Sequence, residues 1–426
     1  MLPAPTEVPP TCHDHGMGAL RTVATRPLML ILAVVAMSAG FAQFGATTAL
    51  GDVAKSFGST SNASSFAAQA GLSGSTLAIG IAIIRASSLA ALPLTAMADR
   101  LGRRRVLYVA CLAGLGITAT AALSPGYWAF VALFALARPA LTATNSLASV
   151  VTAELTDARL RVTALALVAA GAGVGAGMSA IVHGLLRGQN GFRVLFAVAL
   201  VPAAIVAVLS PKLAETRGTP RASAHAARIG AIPKELRGRL AIVMGVTAAI
   251  GAIAGPANGL AFVYGENILK LQAPFVSAVV AASAVTGIAG LLIGRRLADH
   301  QGRRRAVVVG VLATAATSLY AYSGGRTAFA VGYLIGVCAA ALLAPSGAAM
   351  TAELFPNSVR ASAGGWTVFA GVLGTIAGLA VFGAVADATF GSTGNLRWAA
   401  CAAFLPALPV LFFVRTLPET RGQPLS

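Results

Sequence analysis

The sequence predicts an all-α integral membrane protein: twelve transmembrane helices in two pseudo-symmetric six-helix bundles. Three observations carry this. Of the 426 residues, 57% are hydrophobic and only 10% charged, against roughly 25% charged in ordinary soluble domains. Apolar stretches long enough to cross a bilayer recur along the whole chain. Charged motifs of the first half return in the same order in the second.

Mean hydropathy is +0.80, more apolar surface than a soluble globule of this size could bury. The 31 basic against 13 acidic residues give a net charge of +18. In a soluble protein that excess would point to nucleic acid. Here the charges are too few to build a basic face, so the implied partner is the lipid bilayer and not nucleic acid. The cysteines Cys12, Cys111, Cys338 and Cys401 have no C-x-x-C or His-pair spacing, which argues against a disulfide framework or a zinc site. No G-x-x-x-x-G-K-[ST] loop occurs, so no ATP site is expected. Nothing calls for a metal or other cofactor.

The twelve spans fall at roughly 28–50, 75–98, 106–123, 127–150, 162–185, 193–210, 240–264, 274–294, 306–323, 327–350, 362–386 and 397–416. Ala, Gly and Ser dominate them and favour close helix packing. Residues 1–27 read as a Pro-rich disordered cytoplasmic tail. Its Cys12-His13-Asp14-His15 segment could ligate a metal, though a disordered tail accounts for it as well. The first span follows without a convincing cleavage site and reads as a retained anchor. The expected division is a first bundle over 28–210, a cytoplasmic linker over 211–239, a second bundle over 240–416 and a cytoplasmic tail over 417–426. With both termini inside, 23 Lys and Arg fall on the cytoplasmic side and 6 on the other. That bias orients the chain in the plasma (inner) membrane.

The repeat is explicit. Asp99-Arg-Leu-Gly-Arg-Arg-Arg105 returns as Asp299-His-Gln-Gly-Arg-Arg-Arg305. Thr152-Ala-Glu-Leu155 returns as Thr351-Ala-Glu-Leu354, and each Glu precedes an Arg by seven residues: Glu154 to Arg161, Glu353 to Arg360. Glu215-Thr-Arg-Gly218 returns as Glu419-Thr-Arg-Gly422. These residues are the point at which the chain resembles the major facilitator superfamily of transporters, over nearly its whole length. The D-x-x-G-R-R-R loops are that family's most widespread signature. Glu353-Leu-Phe-Pro-Asn-Ser-Val-Arg360 and Pro418-Glu-Thr-Arg-Gly422 are similar to its sugar-porter and metabolite–proton symporter branches. One departure stands out: the family loop usually has Gly four residues before the Asp, where this chain has Thr95 and Arg295, with Gly294 one place early. Helix contact there is expected to differ.

The resemblance implies two bundles rocking about a central site. It also implies that the loop charges tie the bundles together on the cytoplasmic side in the outward-open state. That network would comprise Asp99, Gly102, Arg103, Arg104, Glu154, Arg161 and Glu215, with Asp299, Gly302, Arg303, Arg304, Glu353, Arg360 and Glu419 as their copies and partners. The positive-inside rule explains the arginines but not the Asp and Gly positions. Glycine runs on the fifth span (Gly171, Gly173, Gly175, Gly177) and the eleventh (Gly371, Gly374, Gly378) form a second matched pair, suited to packing or to rocking.

Two arginines lie inside spans. Arg85 and Arg138 each sit eleven residues from the outer end of their helix, roughly 16 Å along its axis and close to the bilayer midpoint. A central Arg costs a few kcal/mol at least, which favours a wet cavity or a partner. Their copies in the second half are Val285 and Cys338, so fold maintenance does not obviously require them. They are candidates for binding an anionic group or tuning a proton site; bonding to backbone or hydroxyl groups is the structural alternative. Further candidate pathway polars are Gln43, Thr47, Asn145, Asn258, Tyr264, Ser346 and Trp366. No acid lies mid-span. Asp52 and Glu266 end the first helix of each half; they are either a proton site or exposed loop carboxylates, and His183 is a weaker candidate. Proton coupling is implied by the resemblance more than by residues.

The expected function is secondary active transport of a small organic solute, with a mild preference for an anionic or sugar-like metabolite and with a coupling proton. Export of drugs by the same fold is the alternative. A membrane enzyme or a non-transporting sensor is disfavoured, since no convergent catalytic set is visible. The chain is read as a monomer.

Overall fold

The computed structural model describes residues 27–61, 63–156, 160–186, 191–209, 233–393 and 395–419. The first half contributes α1 (Pro27–Thr48), α2 (Gly74–Ser87, continuing as Ala91–Leu101), α3 (Arg103–Thr120), α4 (Tyr127–Leu155), α5 (Arg161–Leu185) and α6 (Gly191–Leu209). The second contributes α7 (Lys234–Gly259), α8 (Ala273–Gln301), α9 (Arg303–Ala321), α10 (Arg326–Glu353), α11 (Asn357–Thr393) and α12 (Arg397–Val414). Among the described residues there is no strand. Eleven of these helices are long and apolar enough to cross a membrane; the twelfth, α9, opens on three arginines. Every predicted span is a helix. Val109, Leu136, Val208, Val285 and Phe412 are each more than 60% exposed, the apolar exterior that a bilayer solvates.

Small residues set the packing in each half. A Cβ on Gly171 or Gly175 would strike the α1 backbone at Ala33 or Met37, and one on Gly40 would strike Ala172. In the second half, Gly374 and Gly378 lie against Ala248 and Ala252 of α7. The two glycine runs therefore do not meet: each packs inside its own half. Gly173 and Gly177 touch nothing, because alternate residues of a helix point to opposite faces. Gly290 and Gly294 bring α8 onto the α10 backbone at Cys338 and Leu342. The displaced Gly294 is thus itself a helix-contact residue.

Several predicted boundaries shift; the eighth helix runs on to Gln301 and the eleventh to Thr393. The second helix runs past Asp99 to Leu101. The seventh, expected to reach 264, ends at Gly259, three residues after Pro256, and Val263–Ile268 forms a π-helical turn. At both signature loops glycine turns the chain: Gly102 has φ +96° and Gly302 φ +97°, values L side chains rarely adopt.

The Glu419 carboxylate sits on the start of α9, accepting from the backbone N–H of Arg303 at 2.8 Å and Arg304 at 3.3 Å. A Cβ on Gly302 would meet Glu419 Oε2 at 2.7 Å. Gly302→Ala is expected to destabilise the protein by about 1–3 kcal/mol, which thermal unfolding in detergent checks.

Candidate functional site

The mid-span arginines come together. Arg85 from α2 and Arg138 from α4 line one small cavity with Gln43, Thr47, Tyr127 and Phe130. Its volume is about 10 Å³, room for roughly one water. Arg138 Nη1 donates to the Gln43 carbonyl at 3.4 Å, and Arg138 feels the Arg85 charge. Among the described residues no carboxylate pairs with either guanidinium. Two like charges held together in apolar surroundings are complementary to an anion.

Several buried polar atoms lack a hydrogen-bond partner among the described residues: Gln43 Nε2, Arg138 Nε, Thr142 Oγ1, Asn145 Oδ1, Ser346 Oγ and Trp366 Nε1. Leaving such an atom unpaired costs about 1–3 kcal/mol; of these residues, Gln43 and Arg138 line the arginine cavity. Arg138, Thr142 and Asn145 are spaced four and three apart on α4, which puts them on one helix face. That spacing is the sequence signal that would have added Thr142. Asn258 satisfies itself on its own helix, donating to the Ala254 carbonyl at 3.0 Å. Asn258 and Tyr264 line a separate cavity in the second half. Asn145 and Trp366 line neither cavity; the Trp366 ring packs edge-on to Phe369.

The two halves meet at the end opposite the signature loops, through α2 against α11 and α5 against α8. There Asp52 and Glu266 are not loop carboxylates exposed to solvent. Glu266 is 7% exposed and His183 1%. His183 Nε2 lies 3.0 Å from Glu266 Oε1, and Nδ1 lies 3.7 Å from Asp52 Oδ2. One histidine of the first half thus stands between an acid of each half. Burial pushes the Asp52 carboxyl, beyond the first span, up to about 6; the His183 charge pulls it down and the Glu266 charge pushes it up. Lys55, one turn along, adds a positive charge. Asn267 Nδ2 donates across the same interface to the Gly51 and Ala70 carbonyls, both at 3.0 Å. Asp387 of α11 caps the start of α2, accepting from Gly74 N–H at 2.6 Å, Ser75 N–H at 2.9 Å and the Ser75 hydroxyl at 2.6 Å. A carboxylate at a helix N-terminus is favoured by the unpaired N–H groups there. Sequence reasoning missed these crossings because they join residues that are near only after the halves pack.

At the signature-loop end, the described ion pairs stay within each half. Arg103 pairs with Glu154, and Arg303 with Asp299 at 3.0 Å and Glu353 at 3.3 Å. Arg304 reaches the Arg415 carbonyl. Glu215, residues 1–26, residues 420–426 and most of the linker lie outside the described residues, as do the side chains of Asp99, Arg161 and Arg360.

The family model of the Major Facilitator Superfamily matches residues 32–295 and 240–426. An inward-open structure of the xylose transporter XylE from E. coli is 18% identical, covers 93% of this chain and 97% of its own, and superposes with a TM-score of 0.69. The nucleoside transporter NupG, in a mutant form, is 17% identical over 91% of this chain and 98% of its own, TM-score 0.72. The uncharacterized MFS-type transporter EfpA of Mycobacterium tuberculosis is 30% identical over 162 residues, 37% of this chain. The chain spans 29% of the length of that curated relative. With the family match running through both halves and the twelve-helix architecture shared along nearly the whole chain, this multi-pass membrane protein belongs to the Major Facilitator Superfamily.

Proposed function

We propose that the protein is a secondary active transporter. It carries a small organic anion across the plasma membrane by alternating access, with a proton as coupling ion. The observation that carries the substrate reading is the convergence of Arg85 and Arg138 on one cavity with no described carboxylate beside them. Both termini lie in the cytoplasm on this reading, and the protein works as a monomer. With the signature-loop end cytoplasmic, the closed opposite end makes this the inward-facing state. The pairs Arg103–Glu154 and Arg303–Glu353 are then the parts that re-pair across the halves when the cytoplasmic end closes.

The proton enters through the outer latch. An imidazolium at His183 can donate to Glu266 and hold Asp52 by charge at once, bridging the halves. A neutral imidazole has one N–H, so one carboxylate faces a lone pair and the other carboxylate. Protonation therefore favours outer closure, and proton loss favours opening. Asp52 acts with the same sign: its neutral form is favoured while buried, so closure gains as pH falls through about 6 and is lost as pH rises through it.

Replacing Arg85 or Arg138 by Gln is expected to weaken organic-anion binding about tenfold to a hundredfold, the weight of a charge-assisted hydrogen bond. Calorimetric titration of the purified variants checks this, and unchanged affinity in both would refute the assignment. For the latch, spin labels placed across the outer end are expected to report a growing closed population between about pH 8 and about pH 5. Asp52→Asn should flatten that response toward closure, whereas His183→Ala should favour opening at every pH.

A further inference from the structure

At the signature-loop end of the second half, the ends of α8, α9 and α12 enclose a cavity of about 710 Å³. Three arginines line it: Arg304 and Arg305 from the first turn of α9, and Arg415 just past the end of α12. Against them stands one carboxylate, Glu419. That carboxylate is already engaged by the backbone N–H groups of Arg303 and Arg304. The Arg304 guanidinium donates to the Arg415 carbonyl, which ties the two helix ends together. The apolar part of the lining is Val308, Val309 and Val414.

The cationic lining passes directly into an apolar outer face. Val309 lies four residues after Arg305, roughly 6 Å along the helix axis, and Leu312 lies roughly 10 Å along it. The two are three residues apart and share a face of α9; both are exposed. On α12, Phe412 and Phe413 precede Val414 and Arg415 and are exposed as well. A cationic layer at the membrane boundary with apolar surface beneath it is the profile of a phospholipid, phosphate first and acyl chain after. The positive-inside bias accounts for arginines at this end but not for the cavity. In the first half Arg104 and Arg105 repeat the cations, yet Tyr108 stands at the position of Val308. A buried ring there takes the place of the valine.

We infer that this cavity binds an anionic phospholipid of the adjacent leaflet. Its phosphate is held by Arg304, Arg305 and Arg415, and an acyl chain lies along Val309, Leu312 and Phe412. Guanidinium forks match phosphate oxygens in pairs. Basic side chains at the membrane surface attract anionic lipids. A zwitterionic headgroup brings a cation of its own, which the excess of arginine over carboxylate disfavours. A soluble phosphate would use the arginines and leave the apolar face unused. The site belongs to one half, so it needs no parting of the bundles and is independent of the solute reading.

The test is native mass spectrometry of the purified full-length protein in neutral detergent. It is titrated in turn with phosphatidylglycerol, phosphatidylcholine of the same chains, and glycerol 3-phosphate. For the first bound molecule, phosphatidylglycerol is expected to bind at least about tenfold more tightly than either of the others. The double variant Arg305→Gln with Arg415→Gln should weaken phosphatidylglycerol by at least about tenfold. Arg100→Gln with Arg105→Gln removes the same charge from the matching loop of the first half and should change the affinity by less than about twofold. Unchanged elution on gel filtration verifies folding of each variant, and the wild-type ranking stands without them. Phosphatidylcholine matching phosphatidylglycerol would overturn the assignment, as would the absence of any phosphatidylglycerol binding. Glycerol 3-phosphate binding as tightly would make the ligand a soluble phosphate and overturn the lipid. Equal losses in the two double variants would reduce the effect to diffuse surface charge and overturn the site.

Discussion

A titratable side chain sealed between two apolar bodies has to find its partner on one of them. His183 finds partners on both, and the rest of the outer end follows. For its ring to lie 3.0 Å from Glu266, α5 must approach α8 closely, and Gly184 permits it by resting against Ser277 and Pro274. The same approach brings Asn267 to the carbonyls of Gly51 and Ala70 and Gly74 to Gly383. It also delivers Asp387 to the exposed N–H groups that start α2. The polar members of this set are each built from a few atoms. Such an interface can be remade without tearing an apolar core, as rocking bundles require.

The internal repeat serves the scaffold and is broken for chemistry. Arg103–Glu154 and Arg303–Glu353 are matched pairs. So are the glycine contacts of α5 on α1 and of α11 on α7. Among the described residues, the arginine pair of the first half has Val285 and Cys338 as its copies, and the cavity lined by Tyr264, Tyr322 and Tyr333 lies in the second half. The asymmetry is also where stability is spent: buried guanidiniums and unpaired amide atoms burden the fold.

The helices were legible because span length and hydropathy are properties of contiguous sequence. The half-to-half correspondence was legible because its charged motifs repeat. Arg85 and Arg138 stood out for a related reason, since a charge within an apolar run has no local partner. Other features depend on packing. Asp52 and Glu266 read equally well as exposed acids until His183 is seen between them. The glycine runs of the fifth and eleventh spans looked like one pair, but helical phase turns Gly171 and Gly175 onto α1. The break after Gly259 lies within an apolar run that continues through the π-helical turn, so hydropathy carried the span on to 264. The cavity of the second half lined by Asn258, Tyr264, Tyr322 and Tyr333 draws on three helices and the turn after α7, so no single stretch announces it.

The central claim is that the outer closure seen here must open and close in every transport cycle. A double variant, Gly51→Cys with Asn267→Cys, places two thiols across the contact between the halves, where a Cβ on Gly51 would lie 3.7 Å from Asn267 Cγ, the position a cysteine sulfur takes. Organic-anion flux into proteoliposomes is then measured under oxidation and after reduction. The account predicts that the cross-link arrests flux and that reduction restores it. Flux continuing at the uncross-linked rate with the bond intact would contradict it.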